Sequence, residues 1–253
     1  MRALIRGLPA SFASATAAEA PTSPIDVPLA RRQHAAYARA LADAGLEVRS
    51  IPADDAFPDC VFVEDTVVVA GGRALITAPG LPSRRGEGEA VAAALEPWLE
   101  VVRAPASARL DGGDVLRVGM TLYVGISGRS DAGGEAALRA AFGPLGYRVQ
   151  PVEVPGALHL KCVCSSLGPG AVLLAEGTAD PALFQDDAVR LLMTPAEDAY
   201  AANVVRAGDR VLAPAGFPRT HALLRAAGYD VVVLENSELR KADGSLTCCS
   251  VLF

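Results

Sequence analysis

The chain has 253 residues, of which 51% are hydrophobic, and it carries a formal net charge of −6. This hydrophobic content can fill one large core, so we expect residues 1–253 to form a single domain. The negative charge argues against nucleic acid and anionic membrane surfaces as partners, because both require a basic face. It is compatible with a small cationic substrate, and no apolar run reaches the roughly 20 residues of a membrane-spanning helix.

The five cysteines include no Cys-x-x-Cys pair, and their odd number leaves at least one thiol unpaired within the chain. Neither a secreted disulfide framework nor a zinc ribbon fits this pattern, so we predict a reducing, cytoplasmic location. The first 20 residues loosely resemble a signal peptide, because two arginines precede an Ala-rich stretch. We disfavour that interpretation, since proline, serine and threonine interrupt the stretch and residues 2–6 form a better strand.

Strand and helix patterns follow one another in a repeating order along the chain. Residues 2–6 are predicted as a strand, residues 29–44 as a helix and residues 46–51 as a strand. Two apolar strands around Gly71-Gly72 then indicate a hairpin, which a helix and another strand follow. The predicted copies of this order are strands 60–70, 73–78 and 100–103 with helix 83–99; strands 114–118, 122–126 and 147–154 with helix 132–145; strands 160–166 and 171–175 with an ill-defined helix and strand in 181–193; and strands within 203–213 and at 229–234 with helix 219–227.

The two chain ends together supply a fifth module, since residues 248–253 are predicted as a strand that residues 2–51 complete. Five consecutive modules of one supersecondary type predict a ring of blades around an axis. We therefore predict an α/β fold, a five-bladed α/β propeller of ββαβ modules with pseudo-fivefold symmetry.

Polar residues lie just before or at the start of the first strand in each module. They are Asp59 and Cys60, Asp111 to Asp114, His159, Asn203, and Asp243 to Cys248. Pseudo-symmetry would bring them to one end of the axis, into a pocket with a thiol, an imidazole and several carboxylates. Nucleophilic catalysis needs such a set: a thiolate to attack, a histidine to move protons and an acid to orient the histidine.

Five segments in this order resemble the motifs of the dimethylarginine dimethylaminohydrolase family, a branch of the guanidine-modifying (pentein) superfamily. They are Asp-Cys-Val-Phe-Val-Glu-Asp at 59–65, Pro-Ser-Arg-Arg at 82–85, Leu-Asp-Gly-Gly-Asp at 110–114, Leu-His-Leu-Lys at 158–161 and Asp-Gly-Ser-Leu-Thr-Cys-Cys-Ser at 243–250. The resemblance implies the pentein fold, with no cofactor. It also implies Cys248 as nucleophile, His159 as general acid and base, and Asp111 as the acid that orients His159.

A guanidinium substrate would have to be held flat, because its carbon is deactivated by resonance. Carboxylates match the guanidinium fork, and the resemblance gives this role to Asp65 with Glu64 beside it. The resemblance also implies Arg84 and Arg129 for the substrate α-carboxylate, Asp59 for the α-amino group, Phe62 for the pocket wall and Asp243 near the pocket. The implied reaction is hydrolysis of a methylated arginine to citrulline and an alkylamine through a covalent thiouronium.

Structural interpretations compete with these assignments. Cysteines in an apolar strand are usually small core residues, and strand alternation sends Cys248 and Cys249 to opposite faces, so Cys249 remains the lesser candidate. Asp114 is as well explained as a turn former. A metal site formed by His159, Cys162 and Cys164 is disfavoured because zinc spacing is missing, and we expect no metal.

Other functions also remain open. An arginine deiminase, an amidinotransferase and a non-catalytic arginine-binding propeller would keep parts of this pocket. We expect a monomer or a homodimer. Residues 8–25, rich in Pro, Ser, Thr and Ala, form a long loop that could cover the pocket as a lid.

Overall fold

Fifteen strands form five three-stranded sheets in the computed structural model, which describes residues 1–154, 156–168, 170–187 and 189–253. In every sheet the middle strand pairs antiparallel with one neighbour and parallel with the other. The sheets are β15-β1-β2, β3-β4-β5, β6-β7-β8, β9-β10-β11 and β12-β13-β14. The strands are β1 (Arg2–Arg6), β2 (Glu47–Ile51), β3 (Val67–Ala70), β4 (Arg73–Ile76), β5 (Glu100–Arg103), β6 (Val115–Val118), β7 (Thr121–Ile126), β8 (Arg148–Glu153), β9 (Cys164–Ser166), β10 (Ala171–Ala175), β11 (Arg190–Thr194), β12 (Val205–Ala207), β13 (Arg210–Pro214), β14 (Asp230–Leu234) and β15 (Val251–Leu252).

The parallel pair of four of these sheets is connected through an α-helix. The helices are α1 (Val27–Asp43), α2 (Glu87–Leu95), α3 (Ala132–Phe142), α4 (Pro218–Ala226) and the short α5 (Ser237–Arg240) that follows β14. In the β9-β10-β11 sheet a 3-10 segment, Pro181–Asp187, takes the place of the helix. Residue 188, inside the predicted 181–193 segment, lies outside the described residues. None of the helices among the described residues is long and apolar enough to cross a bilayer.

Local sequence explains where the helices begin. The Asp26 carboxylate accepts the Leu29 N–H at 2.8 Å to cap α1, and Asp131 caps α3 in the same way at 3.1 Å. The predicted helix 83–99 was too long at both ends. Its first residues form a 3-10 turn, and Gly86 at φ 107° separates that turn from α2.

The chain ends close the ring, as predicted. Ala3 of β1 pairs with Leu252 of β15, and Leu4 pairs with Val251, while β1 also pairs in parallel with β2. The first and last strands in the chain therefore belong to one sheet, and the five-module pseudo-symmetric α/β architecture is confirmed.

A 3-10 turn precedes the first strand of every module, and we name these five segments the axial turns. They are Val63–Thr66, Gly112–Asp114, Leu160–Cys162, Ala196–Ala202 and Thr247–Cys249. The predictions of strands at 60–70, 160–166 and 248–253 were therefore wrong in their first residues. The middle strands are too short to pair with those residues; β4, for example, ends at Ile76, which pairs with Val67.

The first strands of the modules, β3, β6, β9, β12 and β15, line a common axial cavity of about 740 Å³. The axial turns lie at its end, where Glu64, Lys161 and Thr247 contribute to the lining. A second, smaller cavity lies on the side of the residues that precede these turns. Most of the predicted site residues line it.

Candidate active site

The small cavity collects predicted site residues from distant parts of the chain. Cys248 and His159 both line it, so the expected nucleophile and the expected base share one space. Other predicted residues in its lining are Asp59, Phe62, Asp65, Arg84, Arg129 and Asp243. Two predicted residues, Glu64 and Asp111, are not in its lining: Asp111 contacts His159, which is, and Glu64 lines the axial cavity.

His159 is buried between two carboxylates. Its Nε2 lies 3.0 Å from Asp111 Oδ2, and its Nδ1 lies 4.0 Å from Asp65 Oδ1. Burial alone lowers the pKa of an imidazole, but Asp65 and the hydrogen bond to Asp111 raise the pKa of His159 well above its usual value. The raised pKa favours the imidazolium, which has a proton to donate.

Asp111 anchors this imidazolium from behind. It is 0% exposed, and its Oδ1 accepts the Gly80 N–H at 2.9 Å. Its Oδ2, besides contacting His159, lies 3.4 Å from Arg129 Nη1. The Asp111 carboxylate thus contacts both His159, which the resemblance assigns it to orient, and Arg129 of the cavity wall.

Asp65 stays ionised inside the cavity. Burial raises its pKa, but His159 and Arg84 outweigh burial and lower the pKa of Asp65 below its ordinary value. Arg84 donates to Asp65 Oδ2 and, from Nη2, to Glu87 Oε2 at 2.7 Å. The Gly113 N–H donates to Asp65 Oδ1 at 3.1 Å. A charged carboxylate at a fixed position is what recognition of a guanidinium requires.

The two arginines predicted for the substrate α-carboxylate differ in their surroundings. Arg84 is buried, and its guanidinium is engaged by Asp65, Glu87 and backbone carbonyls. Arg129 makes a single ion pair in the described structure, with Asp111 at 3.4 Å. Arg129 is therefore the arginine with more capacity to meet another carboxylate.

Cys248 and Cys249 lie in an axial turn, and only Cys248 lines the cavity. Cys249 is buried, and its Sγ is 3.6 Å from the Ser245 carbonyl oxygen. Burial, followed by Asp65 and Glu64, raises the pKa of Cys248 well above its usual value. The resting side chain is therefore a neutral thiol, and the preference for Cys248 over Cys249 agrees with the geometry.

Glu64 differs from its expected place beside Asp65. Its Oε1 pairs with Lys161 Nζ at 2.6 Å, and its Oε2 accepts the Thr247 hydroxyl at 2.7 Å. The 3-10 backbone sends the Glu64 and Asp65 side chains in different directions, Glu64 toward the axial cavity and Asp65 into the small one. Sequence adjacency alone could not separate the two carboxylates.

Residues 8–25, the predicted lid, lie over the cavity. Thr16 donates its backbone N–H and its hydroxyl to the two Asp59 oxygens at 3.0 and 3.1 Å. The Ala18 N–H donates to Asp243 Oδ2 at 2.6 Å. Asp243 has φ 54°, the one positive value among the described residues other than glycine. Both carboxylates expected near the substrate therefore hold the lid in this structure.

The aromatic wall and the lid leave little space. Phe62 meets Phe12 of the lid edge to face, with ring centroids 5.9 Å apart. The cavity volume is about 30 Å³, far below the roughly 300–1,000 Å³ of pockets that bind small molecules. A substrate the size of an amino acid enters only if the lid moves.

Gly112 and Gly113 have a packing role that the sequence did not predict. A Cβ on Gly112 would lie 2.1 Å from the Glu64 carbonyl oxygen, and one on Gly113 would lie 2.6 Å from Asp65 Oδ1 and 2.7 Å from His159 Nδ1. The glycines allow two axial turns to approach closely enough for Asp65 and His159 to meet.

The metal site considered from the sequence, His159 with Cys162 and Cys164, differs from the group of possible metal ligands that lie close together in the structure. Cys164 Sγ is 3.4 Å from the Leu160 carbonyl oxygen and is buried. Among the described residues, Asp65, Asp111 and His159 form the one group with donor atoms close enough for a metal, within 4.8 Å of one another. Both carboxylates already face the His159 imidazole, Asp111 at 3.0 Å and Asp65 at 4.0 Å, so the group belongs to the candidate active site.

No family model matches the chain. The N(G),N(G)-dimethylarginine dimethylaminohydrolase of Streptomyces coelicolor is 41% identical over 255 residues, which covers 99% of this chain and 96% of that protein. The structure of the Pseudomonas aeruginosa enzyme of that name, a cysteine-to-serine mutant complexed with citrulline, superimposes with a TM-score of 0.94 at 34% identity, covering 100% of this chain and 98% of the other. The N-terminal domain of a cyanobacterial arginine dihydrolase shares the fold, with a TM-score of 0.89 at 19% identity over 99% of this chain and 96% of that one.

Proposed function

This chain belongs to the dimethylarginine dimethylaminohydrolase family, and from that premise we propose that it hydrolyses asymmetric dimethylarginine or monomethylarginine to citrulline and an alkylamine. The observation that carries the proposal is the shared cavity of Cys248, His159 and Asp65. It holds a nucleophile, a charged proton donor and a carboxylate for the guanidinium within one enclosed space.

The guanidinium and the α-carboxylate of the substrate bind at opposite ends of the cavity. Asp65 binds the guanidinium, and its ionised state at neutral pH follows from its lowered pKa. At the other end Arg129 binds the α-carboxylate, while Asp59 and Asp243 lie on the side of the lid. Arg84 supports this arrangement mainly by holding Asp65 in place.

The substrate itself helps to ionise its attacker. The pKa of Cys248 is raised by burial and by Asp65 and Glu64, so the thiol holds its proton before binding. A guanidinium placed on Asp65 offsets that negative charge and adds a positive one next to the sulfur. Binding therefore lowers the pKa of Cys248, the thiol proton passes to solvent, and the thiolate forms next to the guanidinium carbon.

The thiolate attacks the guanidinium carbon, and the new S–C bond converts the planar cation into a neutral tetrahedral adduct. His159 gives its proton to the alkylated nitrogen, the C–N bond breaks, and a neutral amine leaves a thiouronium cation on Cys248. Neutral His159 then takes a proton from water as the oxygen attacks the same carbon. The C–S bond breaks, the thiolate returns, and protonated citrulline loses its proton to solvent.

Product analysis with asymmetric dimethylarginine, monomethylarginine and arginine tests this function. We expect citrulline with dimethylamine or methylamine, and no citrulline from the Cys248→Ser variant. Ammonia from arginine as the preferred reaction would indicate a deiminase. Transfer to an added acceptor amine would indicate an amidinotransferase. Binding without any product would leave a non-catalytic arginine-binding propeller.

We further propose that the protein acts in the cytoplasm as a monomer or homodimer, without nucleic acid as partner. The five cysteines are unpaired in the structure, as thiols are in a reducing compartment. Sedimentation analysis of the purified protein, with and without added DNA, tests the oligomeric state and the expected lack of nucleic-acid binding.

A further inference from the structure

Asn203 is a polar residue at a module start to which the proposed reaction gives no role. It directly follows the axial turn Ala196–Ala202 and is 2% exposed. It does not line the small cavity among the described residues. Its amide nevertheless makes three hydrogen bonds, all within two other axial turns.

These bonds reach the turns of the base and of the nucleophile. Asn203 Nδ2 donates to the Lys161 carbonyl oxygen at 2.8 Å and to Thr247 Oγ1 at 3.0 Å. Asn203 Oδ1 accepts the Thr247 N–H at 3.0 Å. Lys161 is two residues after His159, and Thr247 directly precedes Cys248. A single buried amide therefore connects the two catalytic segments.

Asn203, Lys161, Glu64 and Thr247 form a closed ring of polar contacts. Glu64 accepts the Thr247 hydroxyl and pairs with Lys161 Nζ, while Asn203 bonds Thr247 and the Lys161 backbone. The other three members of the ring, Glu64, Lys161 and Thr247, each lie within two residues of a residue that lines the small cavity. For Glu64 that residue is Asp65. Asn203 completes the ring as its one neutral amide, and an amide can donate and accept at the same time.

We propose that Asn203 is a positioning residue that fixes the distance between the Cys248 sulfur and the His159 imidazole, an inference that rests on the proposed hydrolase function. Attack and proton transfer depend on that distance. A displacement of about 1 Å at a reacting group can cost about 100-fold in rate. Among the described residues Asn203 bonds only Lys161 and Thr247 and makes no hydrogen bond to Asp65 or Arg129, so we expect the chemical step to depend on it more than substrate binding does.

The test compares Asn203→Ala and Asn203→Asp with wild type and with Gln33→Ala. Gln33 is a matched control, because its buried amide also donates to one residue, Ser237 Oγ at 2.8 Å, and accepts from another, the Glu238 N–H at 3.0 Å. It joins α1 to α5, and neither Gln33 nor α5 is in the lining of the small cavity. Urea denaturation and citrulline kinetics are measured for all four proteins.

We expect Asn203→Ala to lower kcat by about 100-fold with KM nearly unchanged. Asn203→Asp keeps the shape and the acceptor for Thr247 N–H. It replaces the donor to the Lys161 carbonyl oxygen and Thr247 Oγ1 by a carboxylate oxygen, so kcat should fall by at least about 10-fold. Gln33→Ala should lose stability but keep kcat, which separates positioning from general destabilisation.

The inference is overturned if folded Asn203→Ala keeps kcat within about threefold of wild type, or if its loss lies in KM alone. Should Asn203→Ala fail to fold, the isosteric Asn203→Asp variant decides by the same criterion. A wild type that yields no citrulline from any methylarginine overturns the proposed function and this inference together. An active wild type with unimpaired Asn203 variants overturns the inference alone.

Discussion

Replacing Asp111 with asparagine removes one charge and almost no volume from behind His159. The carboxylate is 0% exposed and contacts His159 Nε2 at 3.0 Å and Arg129 Nη1 at 3.4 Å. A hydrogen bond to a charged partner contributes about 1.5–3 kcal/mol. We therefore expect Asp111→Asn to lower kcat by about 10- to 150-fold, taking tenfold for every 1.4 kcal/mol.

The pH dependence should move in a defined direction. His159 acts first as an acid, so kcat falls as pH rises through the pKa of the imidazolium. Burial lowers this pKa, while Asp65 and Asp111 raise it. Without the Asp111 charge the pKa of His159 falls, and the alkaline limb of the kcat profile should shift to lower pH.

Citrulline release measured across pH for wild type and Asp111→Asn tests both expectations. Asp131→Asn is the control, because Asp131 caps α3 in the neighbouring loop and asparagine caps helices equally well. The control should leave kcat and its pH profile unchanged. An Asp111→Asn enzyme with wild-type kcat and an unmoved alkaline limb would refute the role of Asp111 as the orienting acid.

Three further outcomes follow from the site. Gly113→Ala should lower kcat at least about 100-fold, because its Cβ would lie 2.6 Å from Asp65 Oδ1 and 2.7 Å from His159 Nδ1; a fully active variant in the citrulline assay would contradict this packing. Cys249→Ser should retain activity and Cys248→Ser should lose it, since only Cys248 lines the cavity; the reverse result would exchange their roles. Shortening the lid within residues 13–24 should raise KM and lower kcat, because Thr16 and Ala18 hold the lid on Asp59 and Asp243; unchanged steady-state constants would show that the lid has no part in turnover.

The repeated order of strand, strand, helix and strand was enough to predict the fold. Each module repeats one local apolar pattern, so module count and order can be inferred from local sequence, although neighbouring modules share their cores, as Leu75 of β4 and Leu122 of β7 do. The pairing of β1 with β15 confirmed the shared fifth module. The third module was the weakest in sequence, and the structure has a 3-10 segment there where the others have a helix. The weak helical pattern of the third module thus corresponded to the absence of a regular α-helix among its described residues.

The first residues of the modules were harder to predict, because extended chain and a 3-10 turn share the same apolar composition. Whether residues such as Leu160 enter a ladder depends on the length of a partner strand in space. The same limit applies to Glu64, which shares a motif with Asp65 but faces a different cavity. The link that Asn203 makes between Lys161 and Thr247 joins residues more than 40 positions away on each side, and no local pattern encodes such a contact.

The most direct test of the account traps the covalent step on Cys248. In a His159→Gly variant we expect an analogue such as S-methyl-L-thiocitrulline to react, because methanethiolate leaves without a proton, and hydrolysis to stall for lack of its base. Intact-protein and peptide mass spectrometry should then show the thiouronium adduct on Cys248, and no adduct when Cys248→Ser is added. An unmodified Cys248, or an adduct on another cysteine, would contradict the assignment of the nucleophile.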